Sequence, residues 1–274
     1  IIKRYEGYIS TITSNKPSSK IIFNSFIEKS DNVFGNYASK INTSFKFQIK
    51  LLNLELFKLS QRNPNIFIND INDSLINMSF ESLISNKFYI NADMPFSLDA
   101  LPTIAKGVVD IVNACEGKFN KCVILDLDNT LWGGIIGDDG IDNIEIGDLG
   151  IGKAFTELQE WLKELKKRGI ILCICSKNEE ILAKEPFLKH PDMVLSLEDI
   201  AVFVANWKNK ADNIRFIQNV LNIGFDSMVF IDDNPFERNQ VKLEIPELTI
   251  PELPKDPVDY LSYLKGLNLF ETTS

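Results

Sequence analysis

Two acidic residues, Asp126 and Asp128, stand one residue apart directly after a short apolar run. That run, residues 123–125, has the continuous apolar pattern of a parallel strand that is covered on both faces. Ligands of open α/β sheets bind at the carboxyl ends of the strands. Two carboxylates this close repel each other unless a cation or a shared proton relieves the repulsion. Taken alone, these residues also fit an ordinary acidic turn after a strand.

A second polar cluster, Ser176-Lys177-Asn178, follows the predicted strand at residues 170–175. A hydroxyl, an ammonium group and an amide at a strand end, before a helix with free N–H groups, are typical of a phosphate-binding site. The alternative is that Ser176 serves as the N-cap of the helix, and both interpretations can hold at once.

Two further clusters complete the set of candidate residues. Lys210 begins a predicted helix, where its charge opposes the helix dipole, so a bound anion explains it better than helix stability does. The apolar run at residues 228–231 is a predicted buried strand that ends on Asp232 and Asp233. Two acidic strand ends at one sheet edge call for a hard divalent cation, and Mg²⁺ with oxygen ligands and a substrate phosphate is the usual solution.

The first part of the chain predicts strands at residues 20–24 and 65–69 and helices over residues 45–59 and 104–115. These helices and strands are typical of an α/β domain, but the strands are few for a complete one. It looks like the later half of a flavodoxin-like or SGNH-hydrolase-like domain. Since the sequence begins on Ile1 rather than Met, we expect the start of that domain to precede it.

The second part predicts a glycine-rich hairpin or flap with Asp139-Gly140 as its turn. An amphipathic helix over residues 155–165 follows, and residues 193–196 are predicted to form a short strand. We expect a partial α/β domain at residues 1–118 and a second domain at residues 119–274.

Composition excludes several classes of protein. A net charge of -9 argues against a nucleic-acid binder. No apolar run approaches the ~20 residues that a membrane span needs, and no secretory signal is visible. Cys173 and Cys175 are expected to point to opposite faces of one strand and therefore not to pair. A reduced, cytoplasmic chain fits the four cysteines best.

The order Asp126-x-Asp128-x-Thr130, then Ser176, Lys210 and Asp232-Asp233 closely resembles the four motifs of the haloacid dehalogenase superfamily. More narrowly, the segments at residues 126–134, 175–178, 205–207, 230–238 and 251–254 look like the FkbH-like branch. The resemblance covers the chain from about Lys121 onward. It implies a three-layer, Rossmann-like parallel sheet. Because the intervals between the motifs are short, we expect no inserted cap domain.

The resemblance also implies the chemistry. Asp126 would be a nucleophile that forms an aspartyl-phosphate, and Asp128 would protonate the leaving oxygen and then activate water. Mg²⁺ would be held by Asp126, the backbone carbonyl of Asp128 and Asp232, while Asp233 would orient a metal-bound water or ligate directly. The residues expected to bind the phosphoryl group are Ser176, Lys177, Asn178 and Lys210.

Three functions are compatible with this sequence. One is a Mg²⁺-dependent phosphatase of a phosphorylated small molecule or a carrier-bound phosphoester. Another, implied by the FkbH-like resemblance, loads a glyceryl unit onto an acyl carrier protein, with Cys175 as a candidate thiol that is more easily explained as an inert strand residue. The third is a catalytically silent scaffold, which the presence of both Asp126 and Asp128 disfavours.

Overall fold

The short apolar runs of the sequence form parallel strands in the computed structural model, which describes residues 1–29, 31–76 and 78–273. The structure is mixed α/β with parallel sheets, as the sequence predicts. The chain divides into two compact units, residues 1–116 with Thr273, and residues 117–272. In the described part of the chain, no helix has the length and apolarity needed to cross a membrane.

The first unit contains a pair of parallel strands, with Ile21 opposite Ile66. Both strands lie where the sequence predicts them. The helix predicted over residues 45–59 extends to Arg62 and begins after Ser44, whose side chain accepts a hydrogen bond from the Phe47 N–H. The elements are α1 (Ile2–Asn15), β1 (Ile21–Asn24), α2 (Phe45–Arg62), β2 (Ile66–Asn69), α3 (Phe80–Leu83), α4 (Asn86–Ala92) and α5 (Leu101–Cys115), with 3₁₀ turns at Gly35–Lys40, Ile71–Ile76 and Leu98–Ala100.

The second unit is built on a parallel sheet in the order β5-β4-β3-β6. Its elements are β3 (Cys122–Leu125), α6 (Ile136–Asp139), α7 (Gly150–Lys167), β4 (Ile171–Ser176), α8 (Glu180–Lys189), β5 (Ile200–Ala205), α9 (Lys210–Leu221), β6 (Met228–Ile231), α10 (Pro235–Glu244) and α11 (Tyr260–Gly266), with 3₁₀ turns at Leu197–Asp199, Phe225–Ser227 and Pro257–Asp259. Because the strands are parallel, their carboxyl ends meet at one edge of the sheet.

The central strand β3 is covered on both faces. Val123 and Leu125 belong to a buried cluster with Phe155 and Leu158 of α7. The alternate residues of β3 belong to a second cluster, with Ile214 of α9. The sheet therefore lies between two helical layers. Each fully buried large apolar side chain stabilises the fold by roughly 1.5–3 kcal/mol. Burial on both faces of β3 therefore holds the end of this strand in a fixed position.

The expectation that Cys173 and Cys175 point to opposite faces is wrong. Both thiols lie in the buried cluster that contains Ile214 of α9. Successive strand residues alternate between faces, so residues two positions apart share a face. Both cysteines are free thiols.

The strand predicted at residues 193–196 is also wrong, because that segment makes no strand pairing. Its backbone N–H groups at Val194 and Leu195 instead donate to Oε1 of the buried Gln159 side chain, each at 3.1 Å. The strand that pairs with β4 on the side away from β3 is β5, Ile200–Ala205. A side-chain amide thus takes the place of a neighbouring strand, and apolar periodicity does not reveal such a replacement.

Residues 131–209, all of which the structure describes, contain α6, α7, β4, α8, β5 and short connections. No further domain is inserted between the candidate motifs in this interval. The sequence interval between these motifs therefore contains no inserted cap domain, as the motif spacing predicts.

Candidate active site

The carboxyl ends of the two neighbouring strands β3 and β6 bring two acids to the same level. Leu125, the last residue of β3, pairs with Ile231, the last residue of β6. Asp126 and Asp232 follow these two residues directly, and the Asp126 N–H donates to the Ile231 carbonyl at 2.9 Å. The two apolar strands thus place carboxylates from distant parts of the sequence side by side.

The ammonium group of Lys210 lies between these two acids. Nζ is 2.8 Å from Asp126 Oδ2 and 2.6 Å from Asp232 Oδ2, and all three side chains are buried. Burial acts to lower the pKa of Lys210, but the two carboxylates outweigh it, and the pKa is raised. Lys210 is the first residue of α9, after the N-cap Asn209, so the helix start delivers the ammonium group to the acids. Its role as a phosphate ligand stays a prediction.

One carboxylate oxygen in this cluster has no hydrogen-bond donor. Among the residues that the structure describes, nothing donates to Asp126 Oδ1, although it is buried. Oxygens of Asp126, Asp232 and Asp233 lie within 4.8 Å of one another. Burial, together with the charge of Asp126, raises the pKa of both Asp232 and Asp233. A buried acceptor without a donor, beside two further acids, fits a hard cation with oxygen ligands.

The loop that carries Asp232 and Asp233 is held by hydrogen bonds between its backbone and three side chains. Arg238 donates from Nη1 to the carbonyl oxygens of Asp232 at 2.7 Å and Asp233 at 2.6 Å. The N–H of Asn234 donates to Asp232 Oδ1 at 2.8 Å, and Thr130 Oγ1 accepts a bond from the Asp233 N–H at 3.2 Å. Thr130 therefore orients this loop. The sequence interpretation did not assign Arg238 a role.

Asp128 is held in a separate environment by three donors. Trp132 Nε1 and the Ile136 N–H both donate to Oδ1 at 3.0 Å, and Asn178 Nδ2 donates to Oδ2 at 3.0 Å. Burial raises the pKa of the Asp128 carboxyl, and the bonds from Ile136 and Trp132 offset only part of that rise. The two donors fill both lone pairs of Oδ1, so the open position on this carboxyl is at Oδ2.

The segment after Asp128 folds back as a tight loop. Asn129 Oδ1 accepts a bond from the Gly134 N–H at 3.0 Å. Gly134 has φ +90, and a Cβ there would lie 2.7 Å from Asp139 Oδ2, so glycine is required. The predicted hairpin with its turn at Asp139-Gly140 is wrong, because Ile136–Asp139 forms a helical turn and pairing is limited to a bridge between Gly133 and Glu145. The fold of this loop brings the Ile136 N–H to Asp128 Oδ1.

The Ser176-Lys177-Asn178 cluster lies at the end of β4, next to β3. Ser176 is buried and ends the strand, while α8 begins only at Glu180, so Ser176 is not its N-cap. The Asn178 amide contacts Asp128, as described above. Lys177 Nζ lies 2.6 Å from Oε1 of Glu237, a buried residue of α10 that the sequence interpretation missed. Phosphate binding by these three residues stays a prediction.

Cys175 does not have the environment of an acyl-carrying thiol. The residue is fully buried, and its Sγ lies 3.8 Å from the Lys210 carbonyl oxygen. Burial raises the pKa of the thiol. Nucleophilic cysteines need exposure and thiolate character, and Cys175 has neither.

The family follows from comparison with known proteins. A family model described as the FkbH N-terminal domain matches residues 3–113. The crystal structure of the N-terminal part of protein BF1531 from Bacteroides fragilis, described as containing a phosphatase domain complexed with Mg, is 53% identical, with a TM-score of 0.94. That match covers 99% of this chain and 72% of the other. The chain belongs to the same family as this phosphatase-domain protein, and its first part matches the FkbH N-terminal domain. The FkbH-like resemblance seen in the sequence is thus confirmed by the family match.

Other solved structures match this FkbH-like chain more weakly. A putative phosphatase from Clostridium difficile is 15% identical over 51% of this chain and 87% of the other, with a TM-score of 0.40. A haloacid dehalogenase-like family hydrolase from Xanthomonas campestris is 13% identical over 56% of this chain and 97% of the other, with a TM-score of 0.37. No curated protein matches the sequence.

Proposed function

We propose that the second unit is a Mg²⁺-dependent phosphohydrolase that acts through an aspartyl-phosphate on Asp126. The observation that carries this proposal is the cluster of Asp126, Asp232 and Asp233, whose oxygens lie within 4.8 Å of one another and include a buried acceptor without a donor. The Mg complex of the 53% identical phosphatase-domain structure supports the choice of metal.

The residues present fit a magnesium ion. Asp126, Asp232 and Asp233 would supply the carboxylate oxygens, and Asp128 would contribute only its backbone carbonyl, because its side-chain oxygens do not belong to that cluster. A bound Mg²⁺ supplies charge neutralisation for the phosphoryl oxygens. Side chains of this protein carry out the nucleophilic attack, the proton transfers and the binding of the phosphoryl oxygens.

Asp126 is the nucleophile in this proposal. A carboxylate oxygen of Asp126 forms a bond to phosphorus, and the bond between phosphorus and the leaving oxygen breaks. The ammonium group of Lys210, 2.8 Å from Asp126 Oδ2, lies beside the attacking carboxylate and holds it in place. The product of this step is an acyl phosphate on Asp126.

Asp128 moves the protons. In the first step its carboxyl gives a proton to the leaving oxygen, and in the second the resulting carboxylate takes a proton from water as the water oxygen attacks phosphorus. The bond between Asp126 and phosphorus then breaks and inorganic phosphate leaves. We place the proton at Oδ2, because the Trp132 and Ile136 donors occupy Oδ1. Burial favours the protonated form by raising the pKa of Asp128.

Ser176, Lys177 and Lys210 bind the phosphoryl oxygens in this proposal, since they surround the end of β3 from β4 and α9. For Asn178 we propose a different role from the one the sequence predicts. Its Nδ2 donates to Asp128 and its Oδ1 accepts the Glu179 N–H at 2.9 Å, so the amide is fixed and orients the acid. The uncapped sheet edge suits a phosphorylated small molecule or a carrier-bound phosphoester.

The test is hydrolysis of para-nitrophenyl phosphate by the intact chain, with Mg²⁺ and with the metal chelated. We expect turnover only with Mg²⁺, and a loss of at least about a thousandfold in kcat for Asp126→Asn. Asp138→Asn, an exposed acid of the neighbouring loop, is the matched control and keeps full activity. Full activity in Asp126→Asn would contradict the nucleophile assignment.

Loading of a glyceryl unit onto an acyl carrier protein is a second candidate, favoured by the FkbH N-terminal match at residues 3–113. Incubation with a glyceryl-type acyl phosphate, Mg²⁺ and a carrier protein bearing its thiol arm tests it, with a mass increase of the carrier as the expected result. Because Cys175 is buried, Cys175→Ala would leave such a transfer unchanged.

A further inference from the structure

An ion pair links the ends of two strands that do not touch each other. Lys177 directly follows β4, and Glu237 is the third residue of α10, which follows β6. Nζ of Lys177 lies 2.6 Å from Oε1 of Glu237. The Glu237 side chain is only 9% exposed, whereas that of Lys177 is 32% exposed. The lysine therefore remains open to a ligand while its partner does not.

The sheet order shows where this pair must lie. In the order β5-β4-β3-β6, strand β3 separates β4 from β6. A contact between residues that follow β4 and β6 therefore crosses the carboxyl end of β3, the strand that Asp126 follows. Neighbouring strands lie about 4.8 Å apart, so two long side chains are needed to span this gap, and Lys177 and Glu237 are of that kind.

Helix capping does not explain Glu237. Asn234 is the N-cap of α10, and an acid three residues later is the sequence signature of a capping box, in which the acid accepts the N-cap N–H. Here the Asn234 N–H donates to Asp232 Oδ1 at 2.8 Å instead. Glu237 Oε2 is buried and has no hydrogen-bond partner among the described residues.

Stability alone does not explain Glu237 either. A buried carboxylate whose second oxygen has no donor costs free energy rather than contributing it. Glu237 lies close to the reaction centre, because its partner Lys177 directly follows Ser176 at the end of β4, the strand beside β3. The burial of Glu237 therefore destabilises the fold. Its carboxylate lies near the candidate catalytic groups and forms an ion pair with Lys177.

We propose that Glu237 is a positioning residue, which holds the Lys177 ammonium group across the end of β3 so that it meets a phosphoryl oxygen bound at Asp126. This proposal rests on the proposed phosphohydrolase function. An ammonium group has three N–H donors, so Lys177 keeps donors for a phosphate after bonding to Glu237. Because the lysine is fixed before the substrate arrives, phosphate binding no longer has to offset the loss of its side-chain conformational entropy.

The competing explanation is that the ion pair only ties α10 to the end of β4. The two explanations differ in what Glu237→Gln changes. If Glu237 positions Lys177, the variant weakens phosphate binding while folding is retained. If the ion pair only stabilises the fold, the variant lowers the midpoint of thermal unfolding and leaves the affinity for phosphate unchanged.

The experiment is a double-mutant cycle in the full chain with Glu237→Gln, Lys177→Gln and the double variant. Two readouts are used, the affinity for inorganic phosphate with Mg²⁺ by calorimetry and the KM for para-nitrophenyl phosphate. We expect Glu237→Gln to weaken phosphate binding and raise KM on the order of tenfold, with kcat changed much less. The double variant should match Lys177→Gln, because Glu237 acts through Lys177 alone.

Two variants serve as controls. Glu237→Asp keeps the charge and restores part of the phosphate affinity, and it replaces Glu237→Gln if that variant fails to fold. Glu244→Gln removes another cation-paired acid of α10, one that contacts Arg215 at 3.1 Å, and leaves phosphate affinity unchanged.

The outcomes separate this inference from the function on which it rests. Phosphate affinity and KM within twofold of the wild-type values in Glu237→Gln overturn the inference, as does a double variant with additive losses. Absence of turnover by the wild-type chain overturns the proposed function. In that case the calorimetric phosphate affinities still decide whether Glu237 positions Lys177.

Discussion

Nζ of Lys210 lies 2.8 Å from Oδ2 of Asp126, and only 2% and 10% of these two side chains are exposed. The same nitrogen contacts Asp232, so one buried cation compensates two buried acids. A buried charge that loses its partner is far more costly than an exposed one. The stability of the folded second unit is therefore tied to the residues of its candidate active site.

Lys210→Met should lower the free energy of unfolding by about 3–5 kcal/mol, because it leaves Asp126 and Asp232 as neighbouring uncompensated carboxylates. Urea unfolding measures the change. Lys242→Met, at an exposed lysine of α10, should change it by less than about 1 kcal/mol. Equal stabilities of the two variants would show that the buried cation does not stabilise the acids.

Magnesium should raise the thermal unfolding midpoint of the wild-type chain, because an ion that binds only the folded state stabilises it by mass action. Asp232→Asn should abolish most of this shift, since Asp232 supplies one of the three clustered carboxylates. Asp212→Asn removes an exposed acid of α9 and should retain the shift. A magnesium-dependent shift that survives in Asp232→Asn would place the ion elsewhere.

Much of this site could be predicted from the sequence because each key acid directly follows an apolar run. The strands that end before Asp126 and Asp232 are continuous apolar segments, and parallel pairing alone brings their ends together. Ser176 ends an apolar run in the same way, whereas Lys210 was located by its place at the start of a predicted helix. Local sequence was sufficient to predict the position of a residue that directly follows a strand or begins a helix.

Other features could not be predicted, because they depend on which strands are neighbours. Glu237 has the sequence signature of a helix cap, and only the position of β3 between β4 and β6 shows that it contacts Lys177 across the sheet. The segment at residues 193–196 has the apolar pattern of a strand, but its N–H groups at Val194 and Leu195 donate to the Gln159 side-chain amide instead of to a neighbouring strand. Both cases involve side chains that are distant in sequence and replace an expected local contact.

Asn178→Ala should lower kcat by roughly tenfold while inhibition by inorganic phosphate stays unchanged, because the amide nitrogen donates to Asp128 and the amide oxygen accepts the Glu179 N–H. Steady-state kinetics with phosphate as a competitive inhibitor measure both quantities. Asn239→Ala, at an exposed position of α10, is the control and should alter neither. Weaker inhibition by phosphate in Asn178→Ala would restore the phosphate-binding role that the sequence predicts.

Asp199 should make the stability of the chain depend on pH. Burial acts to raise the pKa of this carboxyl, but bonds from Ser196 and from Lys166, at 3.0 Å, outweigh it and hold the pKa below its usual value. With a lowered folded-state pKa, the carboxylate stabilises the fold fully above about pH 4 and progressively less as the pH falls.

Asp199→Asn should therefore cost about 1–3 kcal/mol of unfolding free energy at pH 7, and this difference from the wild-type chain should shrink below about pH 4. Urea unfolding at a series of pH values measures it. Asp212→Asn, at an exposed position, should show little difference at any pH. A cost for Asp199→Asn that is constant from pH 3 to pH 7 would mean that the charge of Asp199 is not responsible.

The most direct test of the account is chemical trapping of the phosphorylated residue. Wild-type chain turning over para-nitrophenyl phosphate with Mg²⁺ is quenched, reduced with borohydride and mapped by mass spectrometry, because borohydride converts an aspartyl-phosphate to homoserine. We expect homoserine at position 126, dependent on both substrate and Mg²⁺, with Asp128 unmodified. Steady turnover with no homoserine at position 126, or with homoserine at another aspartate, would contradict it.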